Sequence, residues 1–166
     1  MHKLAYRHGT IDDAEQLRKL GLVSYGQFQT VLSEANWNKL KELLSADKLY
    51  SDLLKMSTCF VCECNDELVG MAFLIPSGNP TEIFQSDWSY IRMVGVNPTF
   101  KGNGVGKRLT QMCIDFAKKT NEKVIALHTS EFMDAARHIY ENLGFKQTSE
   151  LPSRYGKRYW LYKLEL

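Results

Sequence analysis

One segment, Tyr90 to Phe116, constrains the fold of this chain more than any other: YIRMVGVNPTFKGNGVGKRLTQMCIDF. It reads as a strand, a short loop and a helix. Ile91 to Val96 is apolar or β-branched apart from Arg92, which suits a buried strand. Asn97-Pro98 ends it, because proline cannot donate to a sheet ladder and Asn-Pro favours a turn. Past the loop, Val105, Leu109, Met112, Cys113 and Phe116 recur at the spacing of one helix face. Between the two lie Gly102, Gly104 and Gly106 at alternate positions, flanked by Lys101, Lys107 and Arg108. Glycines let backbone approach a ligand closely. The first turn of a helix leaves amides unpaired and carries partial positive charge. The combination is an anion site, well suited to phosphate.

Two familiar phosphate loops are excluded. A Walker A loop needs four residues between its glycines and a hydroxyl after the lysine. Gly102 to Gly106 is one residue short, and Arg108 replaces the hydroxyl. A dinucleotide fingerprint fits Gly102 and Gly104, but its third glycine position is Lys107.

A different pattern fits. Val96-x-Pro98 followed by Lys101-Gly102-Asn103-Gly104-Val105-Gly106 resembles the acetyl-CoA pyrophosphate loop of the GNAT N-acetyltransferase superfamily, with Lys101 where arginine or glutamine is commoner. A second block, Ala135-x-x-x-Ile139-Tyr140-Glu141-x-x-Gly144-Phe145, is similar to the family's later A-x-x-x-Y-x-x-x-G-F helix and strand. The blocks stand in the family's order with a predicted strand between them. The resemblance is close from Ser89 to Lys146 and rests on element order elsewhere. It implies an α/β fold of GNAT type, a mixed, mostly antiparallel central sheet flanked by helices.

The chain has 166 residues, which suits one domain over 1–166. It is 44% apolar and 24% charged, close to globular averages. A net charge of +2 argues against a nucleic-acid binder that works by charge alone. No apolar run reaches the ~18 residues of a membrane span, and MHKLAYRHGT has no apolar signal core, so a cytoplasmic location is expected. Cys59-x-x-Cys62 looks like a metal or redox motif. It falls in a predicted strand, Thr58 to Cys64, where positions i and i+3 face opposite sides. Buried, reduced thiols are expected instead.

In chain order, His2 to His8 is expected as a strand, and Thr10 caps a helix with Ile11, Ala14 and Leu17 buried. Leu22 to Ser33 reads as helix or loop and, by resemblance, borders the acceptor pocket. Trp37, Leu40, Leu43 and Leu44 make one helical stripe, and Leu49, Leu53 and Met56 another. Thr58–Cys64 and Leu68–Pro76 form a hairpin about Asn65-Asp66-Glu67, followed by a mobile loop to Asp87 placed near the acceptor by family layout. Lys123–Thr129 is a strand, Met133–Leu143 a helix capped by Gly144, and Phe145–Glu150 a strand. Leu151–Gly156 reads as a loop before a closing strand, Lys157–Leu166, and the loop about Arg154 is expected to line the acceptor pocket with the early helices and the Ser77–Asp87 loop.

The resemblance also implies the chemistry. The backbone of Val94, Gly95 and Val96 would pair with the pantetheine arm, and residues Lys101 to Lys107 would hold the pyrophosphate. Gly95 inside a strand agrees with a bulge or close approach. Tyr140 would lie beside the coenzyme sulfur and protonate or hydrogen-bond the leaving thiolate, whereas spacing alone reads it as a core tyrosine. The glutamate that many relatives carry near Tyr90 is missing. His128, with an ordinary pKa of ~6.5, is the alternative base; Glu131, Asp87 or water are others. Met133 stands where some relatives use asparagine. The expected activity is direct acetyl transfer from acetyl-CoA to a primary amine, with no metal and no acyl-enzyme cysteine, the amine being a small molecule rather than a peptide. Two rivals are a non-catalytic acyl-CoA-binding sensor and a nucleic-acid module built on Lys101, Lys107, Arg108 and the Arg154–Arg158 segment. Dimerisation is common in the family, and these residues do not decide it.

Overall fold

The computed structural model describes residues 3–166. One seven-stranded sheet runs through it: β1 (Ala5–His8), β2 (Thr58–Cys64), β3 (Glu67–Ile75), β4 (Ser89–Val96), β5 (Val124–Ser130), β6 (Lys146–Arg154) and β7 (Lys157–Glu165), in spatial order β1-β2-β3-β4-β5-β7-β6. Every neighbouring pair is antiparallel except β4 and β5. Five helices cover it: α1 (Ala14–Gly26), α2 (Glu34–Ser45), α3 (Asp47–Met56), α4 (Val105–Lys119) and α5 (Asp134–Asn142). The expected mixed, mostly antiparallel α/β architecture is what the chain forms.

Alternation along the strands makes the two layers. Phe60, Cys62 and Cys64 of β2 join Leu109, Cys113 and Tyr140 in the core beneath α4 and α5. Cys59 and Val61 point the other way, into the core with Leu17, Leu20, Tyr50 and Leu53 of α1 and α3. Cys59 and Cys62 thus lie on opposite faces, and all four cysteines are buried free thiols.

Several local expectations need correction. The expected first residue of β1, His2, lies outside the described residues. Ile11 is 58% exposed rather than part of a buried stripe. Residues 11–13 form a 3-10 turn instead of the helix itself, so Asp13 is the residue turned inward, where it pairs with Arg7 at 2.9 Å and accepts from the Thr10 amide at 2.8 Å. Leu43 and Met56 sit at the rims of their stripes, 40% and 39% exposed. The predicted loop Leu151–Gly156 is mostly strand. Pro152 is tolerated because β6 is an outer strand and its register slips between Leu151 and Arg154. Only Tyr155-Gly156 turns, with φ of 52° and 70°, the twin positive values of a two-residue hairpin loop.

The feature that positions the site is where β4 and β5 part. They pair only at Ser89–Ile125 and Tyr90–Ala126. Beyond Tyr90, β4 stays on β3 but bulges between Arg92 and Gly95, with Met93 at a φ of 52°. A β-bulge bends its strand away from a neighbour, and here the bend opens a gap between parallel partners.

Candidate functional site

A cavity of about 740 Å³ fills that gap, within the range of small-molecule sites. Its walls are β4 from Ile91 to Val96, the loop into α4, Leu127–Thr129 of β5, and Tyr140 of α5. The end of α1 with the turn after it, one side of α2, and the β6–β7 hairpin close the other end.

One end of the cavity carries the loop expected to receive an anion. Pro98–Phe100 form a 3-10 turn in which the Asn97 carboxamide oxygen accepts from the Thr99 amide at 3.1 Å. Gly102 and Gly104 then adopt φ of 83° and 73°, left-handed values that cost a residue with a Cβ about 1–2 kcal/mol. A Cβ at either would meet nothing within 4 Å, so both face open space. The Arg108 amide donates to the Gly104 carbonyl at 2.9 Å as the helix begins. The amides of Val105, Gly106 and Lys107 precede that bond and have no carbonyl one helical turn behind them. The macrodipole of α4, fifteen residues long, adds positive potential there. Val94, Gly95, Val96, Lys101, Gly102, Gly104, Val105, Gly106 and Lys107 all line the cavity. Asn103 does not; its side-chain amide turns back to the Phe100 carbonyl at 3.0 Å and fixes the loop. Arg108 also lies off the cavity.

Gly95 answers to packing. A Cβ there would sit 2.7 Å from Ser24 Oγ and 2.9 Å from Met71 Cε. The glycine lets α1 press on the bulged strand while its backbone remains on the cavity wall.

Tyr140 reaches the cavity from α5 with its ring buried, 5.9 Å from that of Phe145. Its hydroxyl has no hydrogen-bond partner among the described residues. Burial first, then the field of Tyr25 and Cys113, raises its pKa well above the usual phenol value. Tyr25, on α1, is raised in the same way. The two phenols thus approach from opposite faces of the sheet through the gap between β4 and β5. Both stay protonated and able to donate.

His128 lines the other end, with rings of Tyr159 at 5.7 Å and Phe84 at 6.2 Å. Its Nδ1 is buried without a partner. Burial, then the charges of Arg154 and Arg92, push its pKa down to about 4. The imidazole is therefore neutral near pH 7, an acceptor of hydrogen bonds and a weak base. Glu131 and Asp87 are not on the wall. Met133 is, and its sulfur lies 3.7 Å from Thr129 Oγ1.

The loop after β3, expected near the acceptor, contributes nothing to the wall. It is pinned over the sheet instead: Phe84 stacks on Tyr90 at 4.2 Å, and Tyr90 Oη donates to the Asn79 carbonyl at 3.1 Å. Residues that spacing alone did not single out are Arg92, Phe132 and Tyr159. Arg92 carried a signal, as the one charge in an otherwise apolar strand. Phe132 and Tyr159 carried none.

The profile described as "Acetyltransferase (GNAT) family" matches residues 27–145. Among curated proteins, the chain is 26% identical over 125 residues to the probable N-acetyltransferase camello of Xenopus tropicalis, covering 75% of this chain and 54% of that protein. It is 27% identical over 106 residues to human N-acetyltransferase 8B, covering 63% and 46%. The chain thus spans about half the length of these curated relatives. Among solved structures, PaiA N-acetyltransferase from Thermoplasma acidophilum, crystallised with coenzyme A, superposes with a TM-score of 0.80 over 99% of both chains at 14% identity. With the splayed parallel pair and the glycine-rich entry to α4 in place, the profile match over most of the sequence settles its kinship: the chain belongs to the acetyltransferase (GNAT) family.

Proposed function

We propose that this chain is an acetyl-CoA-dependent N-acetyltransferase that moves the acetyl group directly onto the primary amine of a small molecule. The observation that carries this reading is the unpaired helix start at Val105–Lys107, opening onto the gap between β4 and β5. A diphosphate suits the first, and an extended amide-bearing arm suits the second. The complex of the related fold with coenzyme A supports the same ligand.

On this reading, Gly102 to Lys107 bind the pyrophosphate through backbone amides, with Lys101 and Lys107 adding charge. Asn103 holds the loop in shape. Val94, Gly95 and Val96 align the pantetheine arm by main-chain hydrogen bonds. The amine nitrogen bonds to the acetyl carbon, the carbon–sulfur bond breaks, and the proton that the nitrogen sheds passes through water to the departing sulfur, which leaves as the thiol of coenzyme A. Tyr140 donates a hydrogen bond or proton to the departing sulfur; its raised pKa makes full transfer costly, so the hydrogen-bond role is the stronger one. Neutral His128 accepts from the amine N–H and orients its lone pair. Its low pKa suits that task better than general-base work, for which a pKa near the operating pH is ideal.

Calorimetric titration with acetyl-CoA, followed by thiol-release kinetics over an amine panel, tests the proposal. Saturable binding and turnover are expected. Failure to bind the coenzyme refutes it, and tight binding with no turnover on any amine assigns the chain to a sensor role.

A further inference from the structure

The acceptor end of the cavity has a one-sided charge. Arg92 and Arg154 both line it. Among the described residues the only carboxylate on the wall is Asp134, at the start of α5, and it is engaged by Arg137. Elsewhere most arginines hold acids: Arg7 takes Asp13 and Glu63, Arg18 takes Asp47, and Arg158 takes Glu150, while Arg108 is exposed and off the cavity. Among the described residues Arg92 and Arg154 have no such partner.

Their positions converge. Tyr90 and Ala126 are register partners. Arg92 and His128 each lie two residues further along, so both face the α1 side of the sheet where the strands separate. Arg154 comes from the β6–β7 hairpin, its guanidinium 5.8 Å from the Tyr155 ring centre and 5.7 Å from that of Tyr159. The Tyr159 ring in turn lies 5.7 Å from His128. The charges of both guanidiniums reach the imidazole, Arg92 from the neighbouring strand and Arg154 from the β6–β7 hairpin. Beside them Phe28 and Phe132 meet edge to face at 4.9 Å and make an apolar wall.

Arg92 is half-buried, and a cation so placed without a counter-charge is costly unless a ligand supplies one; Arg154 is exposed to solvent and still lines the cavity. Arginine favours carboxylates, which it can grip with paired N–H groups. Fixed positive charge also favours the neutral form of a nearby amine, the form that attacks a thioester. We propose that the acceptor is an amine bearing a carboxylate and an apolar or aromatic side chain, that Arg92 and Arg154 bind the carboxylate, and that Phe28 and Phe132 receive the side chain. This rests on the acetyltransferase reading above and narrows its substrate class.

The test uses the full chain with acetyl-CoA and matched amine pairs: phenylalanine against phenethylamine, and leucine against isoamylamine. The carboxylate member of a pair is expected to have the higher kcat/KM by about tenfold or more, the scale of a charge-assisted hydrogen bond. Arg92→Gln and Arg154→Gln should each raise KM for that member about tenfold, with calorimetric coenzyme affinity as the check that the variants fold. Arg92→Lys and Arg154→Lys should restore part of the preference. Equal kcat/KM within both pairs, rejection of the carboxylate members, or preference retained in the glutamine variants overturns the proposal. Those results leave the acetyltransferase reading standing if coenzyme binding is intact. Loss of coenzyme binding by the unaltered chain removes that reading, and this one with it.

Discussion

Acid should destabilise this protein through His128. In the fold its Nδ1 is buried without a partner, and burial with Arg154 and Arg92 lowers its pKa to about 4, against ~6.5 for an unperturbed imidazole. Between these values the unfolded chain takes up a proton that the folded chain refuses. Stability contributed by the neutral imidazole is therefore fully present above the unfolded pKa and falls as pH drops toward the folded one. The full difference corresponds to about 3 kcal/mol, and the part expressed between about pH 7.5 and pH 5 is about 2 kcal/mol. Glutamine in place of His128 cannot be protonated. Denaturant midpoints of the wild type and His128→Gln, measured at both pH values, should diverge by that amount. In thermal scans this is about 4–8 °C for a chain of this size. Carboxylates such as Asp13, held below the usual range by Arg7, titrate alike in both proteins and cancel. Parallel loss of stability in the two would refute the argument, because it would mean the ring is already protonated or solvated in the fold.

Three further outcomes follow from the geometry. Gly104→Ala must hold a Cβ at a φ of 73° and place it in the open cradle, so stability should fall by about 1–2 kcal/mol and coenzyme affinity should drop, read by thermal scan and calorimetry. Tyr140→Phe should lower kcat by about 10²-fold while coenzyme affinity changes little, since the ring's packing is kept and only the donor is lost; an unchanged rate would reduce Tyr140 to a core side chain. Gly95→Val drives a side chain into Ser24 and Met71 and should cost about 1–3 kcal/mol, seen as a lower denaturant midpoint.

How much of this could be seen in the sequence depended on how local the cause was. The loop into α4 was legible because glycines at alternate positions, a proline stop and a helical stripe all lie within Val96–Leu109. The buried thiols were legible because strand alternation alone separates Cys59 from Cys62. The β6–β7 hairpin was misread: Pro152 and Gly156 look like loop residues, and only pairing with β7 on an outer edge makes Pro152 acceptable within a strand. Ile11 was misplaced because the Asp13–Arg7 pair, which joins the turn to β1, decides which side chain turns inward. At the His128 end of the cavity the early helices and the Arg154 segment were foreseen as lining, but the side chains that meet there were not. Arg92, Phe132 and Arg154 come from three distant segments, and the bulge at Met93 that opens the space between them depends on how β4 lies against β3.

That opening has a mechanical side. Strands β1 to β4 form one bank and β5 to β7 the other, and the sheet's main chain ties them together at two neighbouring positions only. Whatever lodges in the fissure acts as mortar, bridging backbone that the protein itself leaves unjoined. A filled molecule should therefore resist prying apart, whether by protease or by heat, far better than an empty one, and amide exchange along the inner bank of β4 should slow as the mortar sets.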